Sequence, residues 1–216
     1  MSTITTEADL ALAPSLPPAD RAESPVLAVI DMQRVFGDPV SPWKSPRFEE
    51  IVGPVRELTE AFSPRAVFTR FIAPAEPWGA WRAYYDEWPF ALQPPGSDAW
   101  RIVRSLADAA ARVGGADGRG GTIDCMTFSK WGPGLAALVG REGRLMLAGV
   151  STDCCVLSTA LAAADSGAEV LVVGEACAGV DDESHAKALH VMGLYGPLIR
   201  VISLDEALAM APGPAE

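Results

Sequence analysis

Five uninterrupted apolar residues, Val26-Leu27-Ala28-Val29-Ile30, end abruptly on Asp31. A strand with one wet face alternates apolar and polar residues, so an unbroken run of this length reads as a strand covered on both faces. Arg144 to Gly149 reads the same way, and shorter strands are expected at Ala66–Thr69, Thr122–Met126, Glu169–Val173 and Leu198–Ile202. Helical spacing fills the intervals: 47–62 with Ile51, Val52, Val55, Leu58 and Phe62 on one face, then 98–112, 133–139, 154–166 and 182–194. Strands alternating with helices need crossovers, and crossovers build a parallel sheet with helices on both sides. The expected class is α/β, a three-layer α/β/α arrangement with a mostly parallel, doubly wound sheet.

A chain of 216 residues suits one core. We place a single domain at 25–208, between a mobile N-terminal tail (1–24) rich in Ala, Pro, Ser and Glu and a C-terminal tail (209–216). The N-terminal residues lack the basic start and apolar run of a signal peptide. No stretch of 18 apolar residues offers a membrane span. With 17 basic against 28 acidic residues, the formal net charge is −11, which argues against nucleic acid or an anionic membrane surface as partner. Four cysteines, two of them adjacent, make a poor disulfide framework, so reduced thiols in the cytoplasm are expected. There is no Cys-x-x-Cys, and the only histidines are His185 and His190, five apart on a predicted helix. No metal and no cofactor are expected.

Ligands of open parallel sheets sit beyond the carboxyl ends of the strands. Asp31, residues 125–131 and Ser151 to Cys155 converge there. Thr152 or Asp153 would cap the 154–166 helix, placing Cys154 and Cys155 in its first turn. A thiol there is drawn toward thiolate by the helix dipole, and nearby N–H groups could receive an oxyanion. Either cysteine fits this position, and both could equally be small buried core residues. Cys177 reads as structural. Residues 72–100, with five prolines and five tryptophans or tyrosines before position 90, are expected to form a long loop or lid.

Three segments carry a resemblance. VLAVIDMQRVF (26–36), LAGVSTDCCVLSTA (147–160) and Glu175-Ala176-Cys177-Ala178 with the helix after it are similar to the isochorismatase-like cysteine hydrolases over roughly 25–208. The resemblance implies that Cys155 is the nucleophile and Asp31 the general base, and that a cis peptide joins Val150 to Ser151, with the oxyanion held near Val150, Ser151 and Cys155. It also implies a homo-oligomer acting on a small molecule. The family's usual lysine is replaced here by Cys125. Lys130, five residues later, is the proposed replacement cation or else a solvated loop residue, and Arg70 is a second candidate. Phe68 to Pro74 lacks the histidine of the nicotinamidase metal site.

For substrate contact we single out Gln33, Phe36 and Trp131. Gln33 would orient a carbonyl or hydrogen-bond the backbone. Trp78, Trp81, Tyr84, Tyr85 and Trp88 are further members of an aromatic enclosure or of ordinary packing. Amide or carbamoyl hydrolysis is the leading expectation. An isochorismatase-type vinyl ether hydrolase and a catalytically decayed member that binds a ligand or partner are the alternatives.

Overall fold

The structure is a computed structural model that describes residues 24–113, 121–140 and 142–212. The expected 1–24 tail (but for Ser24), most of the Gly-rich turn at 114–121 and the last four residues lie outside the described residues.

Six strands form one all-parallel sheet: β1 (Val26–Ile30), β2 (Ala66–Phe71), β3 (Thr122–Cys125), β4 (Arg144–Val150), β5 (Glu169–Ala178) and β6 (Ile199–Ile202), in the order β3-β2-β1-β4-β5-β6. The chain winds outward in one direction from β1 and in the other from β4. The crevice between those two strands is therefore the switch point at which such sheets bind ligands. Leu27 to Ile30 are fully buried, as their unbroken apolar run requires.

Alternate residues of β1 serve opposite cores. Leu27 and Val29 pack with Ile51, Val55 and Leu58 of α2 (Phe48–Ala61) and with Leu106 of α4 (Arg104–Arg112), α1 being the short helix Arg34–Gly37 and α3 the helix Trp81–Glu87. Ala28 and Ile30 pack with Leu135 of α5 (Pro133–Val139), Ala160 and Ala163 of α6 (Leu157–Asp165) and Met192 of α7 (Asp182–Gly193). The result is the expected three-layer α/β/α fold. Gly149 stands opposite Ile30 with φ +114°, and a Cβ there would fall 2.1 Å from the Ile30 carbonyl oxygen, so β1 and β4 can approach at this point only with glycine.

Three expectations are corrected. Residues 72–100 are not simply a loop: they hold a helix, Trp81–Glu87, and two short 3-10 turns, and Tyr85 and Trp100 are buried. Trp81, Tyr84, Tyr85 and Trp88 follow i, i+3, i+4, i+7 spacing, so one face of the helix packs as a ring cluster. The helix expected at 98–112 is a 3-10 turn followed by a helix that begins only at Arg104. The chain also stays packed beyond 208, where Met210 and Ala211 lie against the core below a capping-box helix, Leu204–Leu208.

Candidate active site

Asp31 is the first residue past β1 and adopts φ +49°, a left-handed turn uncommon for a residue with a side chain. It is fully buried. The Thr69 hydroxyl, at the end of β2, accepts from Asp31 N–H (3.2 Å) and donates to Asp31 Oδ1 (2.8 Å). Lys130 Nζ lies 2.8 Å from Asp31 Oδ2, with both side chains at 0% exposure. The same ammonium donates to the Thr127 carbonyl (3.0 Å) and stands 5.1 Å over the Phe71 ring. Burial works against the Lys130 charge, but attraction to Asp31 and to the Cys155 sulfur outweighs it, so its pKa is raised and it stays an ammonium.

The segment that carries Cys154 and Cys155 follows β4. The Val150–Ser151 peptide is cis. Beyond it the chain makes a π-helical turn, Thr152–Val156, continuous with α6. Neither Thr152 nor Asp153 caps this helix, contrary to the sequence expectation. Thr152 Oγ1 meets His185 Nδ1 at 2.8 Å, and Asp153 Oδ1 accepts from Val180 N–H at 2.9 Å, so both side chains are taken by the loop before α7 and by α7 itself. Ser151 stands at the cap, and its carbonyl accepts from Cys154 and Val156 N–H, both at 3.1 Å.

Cys155 is buried and Cys154 partly so, and both line the same cavity. The two thiols hydrogen-bond each other, so they lose their first proton as a pair. That bond lowers the pKa of Cys154. It raises that of Cys155 well above the ordinary value, and burial adds to the rise. Lys130 favours thiolate on both sulfurs. A buried hydroxyl ties the two halves of the site together: Lys130 N–H donates to Thr159 Oγ1 (2.9 Å), which donates to the Cys155 carbonyl (2.6 Å).

Among the other expected residues, Arg70 is engaged elsewhere. It faces away from Asp31 and makes a bidentate pair with Asp124, 2.8 and 2.7 Å, on the outer side of β3. This follows from strand alternation, since Thr69 points inward. Cys125 ends β3, and the loop after it doubles back to deliver Lys130. Gln33 contacts only backbone: its amide donates to the carbonyls of Phe71 (3.0 Å) and Trp100 (2.9 Å) and accepts from Phe71 N–H (2.8 Å). Fully buried and bonded to backbone, it is not among the residues that line the cavity at the cysteines.

The cavity over Cys155 measures about 290 Å3. Phe36, Tyr84 and Trp88 line it as expected, joined by Trp43, Phe71 and Phe128, which sequence reading missed. Trp131 does not line it and packs on the α5–α6 core instead. Trp81 forms a second layer, edge-on to Tyr84 (5.3 Å) and Phe128 (4.9 Å), and Trp78 is exposed. A larger, open groove of about 730 Å3 between α2 and α7 is lined by Arg47, Glu50, Asp182 and His185. Its one thiol, Cys177, is pushed up to about 12 by burial, so the groove holds no ready nucleophile.

This fold and this site define a doubly wound, three-layer α/β/α domain with a buried carboxylate, ammonium and thiol at its switch point. The chain matches the Isochorismatase domain over residues 25–205 and belongs to that family. A search of curated protein sequences finds no significant match. Among solved structures, a cysteine hydrolase from Pseudomonas syringae pv. phaseolicola 1448A is similar at TM-score 0.71 and 16% identity, over 93% of this chain and 97% of that one. An isochorismatase family protein from Desulfovibrio vulgaris gives 0.69 and 21%, over 87% and 99%. The nicotinamidase/pyrazinamidase of Bacillus subtilis gives 0.66 and 22%, over 82% and 98%. At these identities the likeness is one of fold.

Proposed function

We propose that the protein is a cysteine hydrolase that cleaves the C–N bond of a small amide, carbamoyl or ureido substrate through a thioester on Cys155. The observation that carries this reading is the buried Asp31–Lys130 pair beside a thiol pair at the end of a small aromatic cavity. A buried carboxylate and an incipient thiolate are tolerable together only with a cation between them, and Lys130 supplies it.

In this mechanism Asp31 Oδ2 takes the Cys155 proton, and the sulfur attacks the carbonyl carbon. Negative charge moves to the carbonyl oxygen, held by backbone N–H groups around Ser151 and Cys155 at the start of the π-helical turn. The intermediate collapses, the C–N bond breaks, and the leaving nitrogen takes the proton from Asp31. Water then attacks the thioester, gives its proton to Asp31 and releases the acid, and the proton returns to sulfur. Asp31 thus acts as base and then acid, with Lys130 fixing its position and charge.

Ammonia release from a panel of small amides tests this reading. Wild type releases it, and Cys155→Ser and Asp31→Asn each lose at least about a thousandfold in kcat/KM. Pyruvate release from isochorismate that survives Cys155→Ser would contradict it.

A further inference from the structure

Three lysines occur in the chain, and two of them hold a carboxylate of the chain itself: Lys130 pairs with Asp31, and Lys187 with Glu183. The third, Lys44, lines the cavity over Cys155, is exposed, and makes no ion pair among the described residues. It is the single formally charged side chain in a lining otherwise made of six aromatic rings, Pro42, Val180, Ser151 and the two thiols. It directly follows Trp43, which stacks on Phe36 with ring centroids 6.1 Å apart and planes 9° apart. The cavity therefore presents flat apolar walls, a thiol pair at one end and an unmatched positive charge beside one wall.

We propose that this cavity selects small planar amides that carry an anionic group, and that Lys44 is the residue that reads that group. The inference rests on the hydrolase reading above and specifies its substrate class. The volume of about 290 Å3 lies at the lower edge for small-molecule sites, which suits a single substituted ring. Aromatic walls favour ring stacking over contact with a saturated chain. The overall charge is −11, so an anion approaching the protein meets net repulsion. A lone cation at the cavity offsets that repulsion locally and orients the substrate with its amide toward Cys155. Lys44 is a specificity residue in this account and takes no part in the bond changes.

Binding and turnover are measured separately, so that failure of either claim is recognisable. Tryptophan fluorescence of the Cys155→Ser protein reports binding of benzamide, the three carboxybenzamides and cyclohexanecarboxamide, because Trp43 and Trp88 line the cavity. At least one carboxybenzamide binds tighter than benzamide by about fivefold, the size expected of one solvent-exposed ion pair. That ratio falls toward one in Lys44→Ala or at high salt, and returns in Lys44→Arg. Cyclohexanecarboxamide binds more weakly than benzamide. Carboxylated and neutral amides binding alike, a preference that survives Lys44→Ala, or a saturated ring binding as well as the flat one would overturn the proposal. Ammonia release from the same amides by wild type then bears on the hydrolase reading alone: selective binding without any hydrolysis would leave the charge selection standing and sink the catalytic account.

Discussion

Lys130 Nζ and Asp31 Oδ2 lie 2.8 Å apart with neither side chain exposed, although the two residues are 99 positions apart in the chain. The pair sits where the sheet order reverses, and a thiol pair completes the group. A buried ion pair of this kind is poor evidence of selection for stability, since apolar replacements of similar volume often do as well. Its place beside the thiol that we propose as nucleophile gives it a chemical reason to exist.

Removing one partner leaves the other charge stranded. Lys130→Met should destabilise the fold by about 3–5 kcal/mol, the usual cost of breaking a buried pair from one side. Urea unfolding measures this. Asp31→Asn with Lys130→Met should recover part of the loss, and a double variant no better than the single would mean that the two charges are not coupled.

The pH dependence follows from the raised pKa of Lys130. Because the folded protein holds this proton more tightly than the unfolded chain, the stabilisation is fully present below the ordinary lysine value of 10.5 and is lost as pH rises through the higher folded value. The stability gap between wild type and Lys130→Met should therefore be constant from pH 8 to about 10 and narrow above it. A gap that narrows below pH 9 would contradict the assignment.

Thr159→Val removes the hydroxyl joining Lys130 N–H to the Cys155 carbonyl. It leaves a buried N–H unpaired, at about 1–3 kcal/mol. The account predicts a lower kcat with a smaller change in KM, because the loop that carries Lys130 shifts while the aromatic walls stay. An unchanged kcat in a destabilised protein would reduce Thr159 to a structural role.

Arg70→Ala serves as the contrasting variant. Arg70 pairs with Asp124 at 25% and 44% side-chain exposure, outside the cavity. Its removal should cost no more than about 1 kcal/mol of stability and leave thiol reactivity unchanged. A large fall in cysteine reactivity would return it to the list of candidate cations.

Much of this was legible in the sequence, and the failures have physical causes. The apolar runs at 26–30 and 144–149 marked buried parallel strands because two covered faces leave no position for a polar side chain. Asp31, Cys155 and the cis junction at Val150–Ser151 came from motifs. Lys130 was named, but a loop lysine reads equally as solvated, and only the fold-back after β3 buries it. Arg70 misled because a cation at a strand end says nothing about which face it points to. The spacing of Trp81, Tyr84, Tyr85 and Trp88 was helical and was obscured by the prolines around it. Trp43, Phe71 and Phe128 come from three separate segments, and no local pattern unites them. Gln33 and Trp131 stood near the right motifs, yet the backbone and the second core took them.

The most direct test of the Lys130 claim needs no substrate. Iodoacetamide labelling against pH, with the adduct located by peptide mass, is measured in Cys154→Ala and in Cys154→Ala with Lys130→Met. Removing Cys154 takes away the largest influence raising the Cys155 pKa, so its apparent value should fall below that in wild type. Adding Lys130→Met should raise it again by a unit or more, about 1.4 kcal/mol of lost thiolate stabilisation. A Cys155 that labels at the same rate and pH with and without Lys130 would contradict the account.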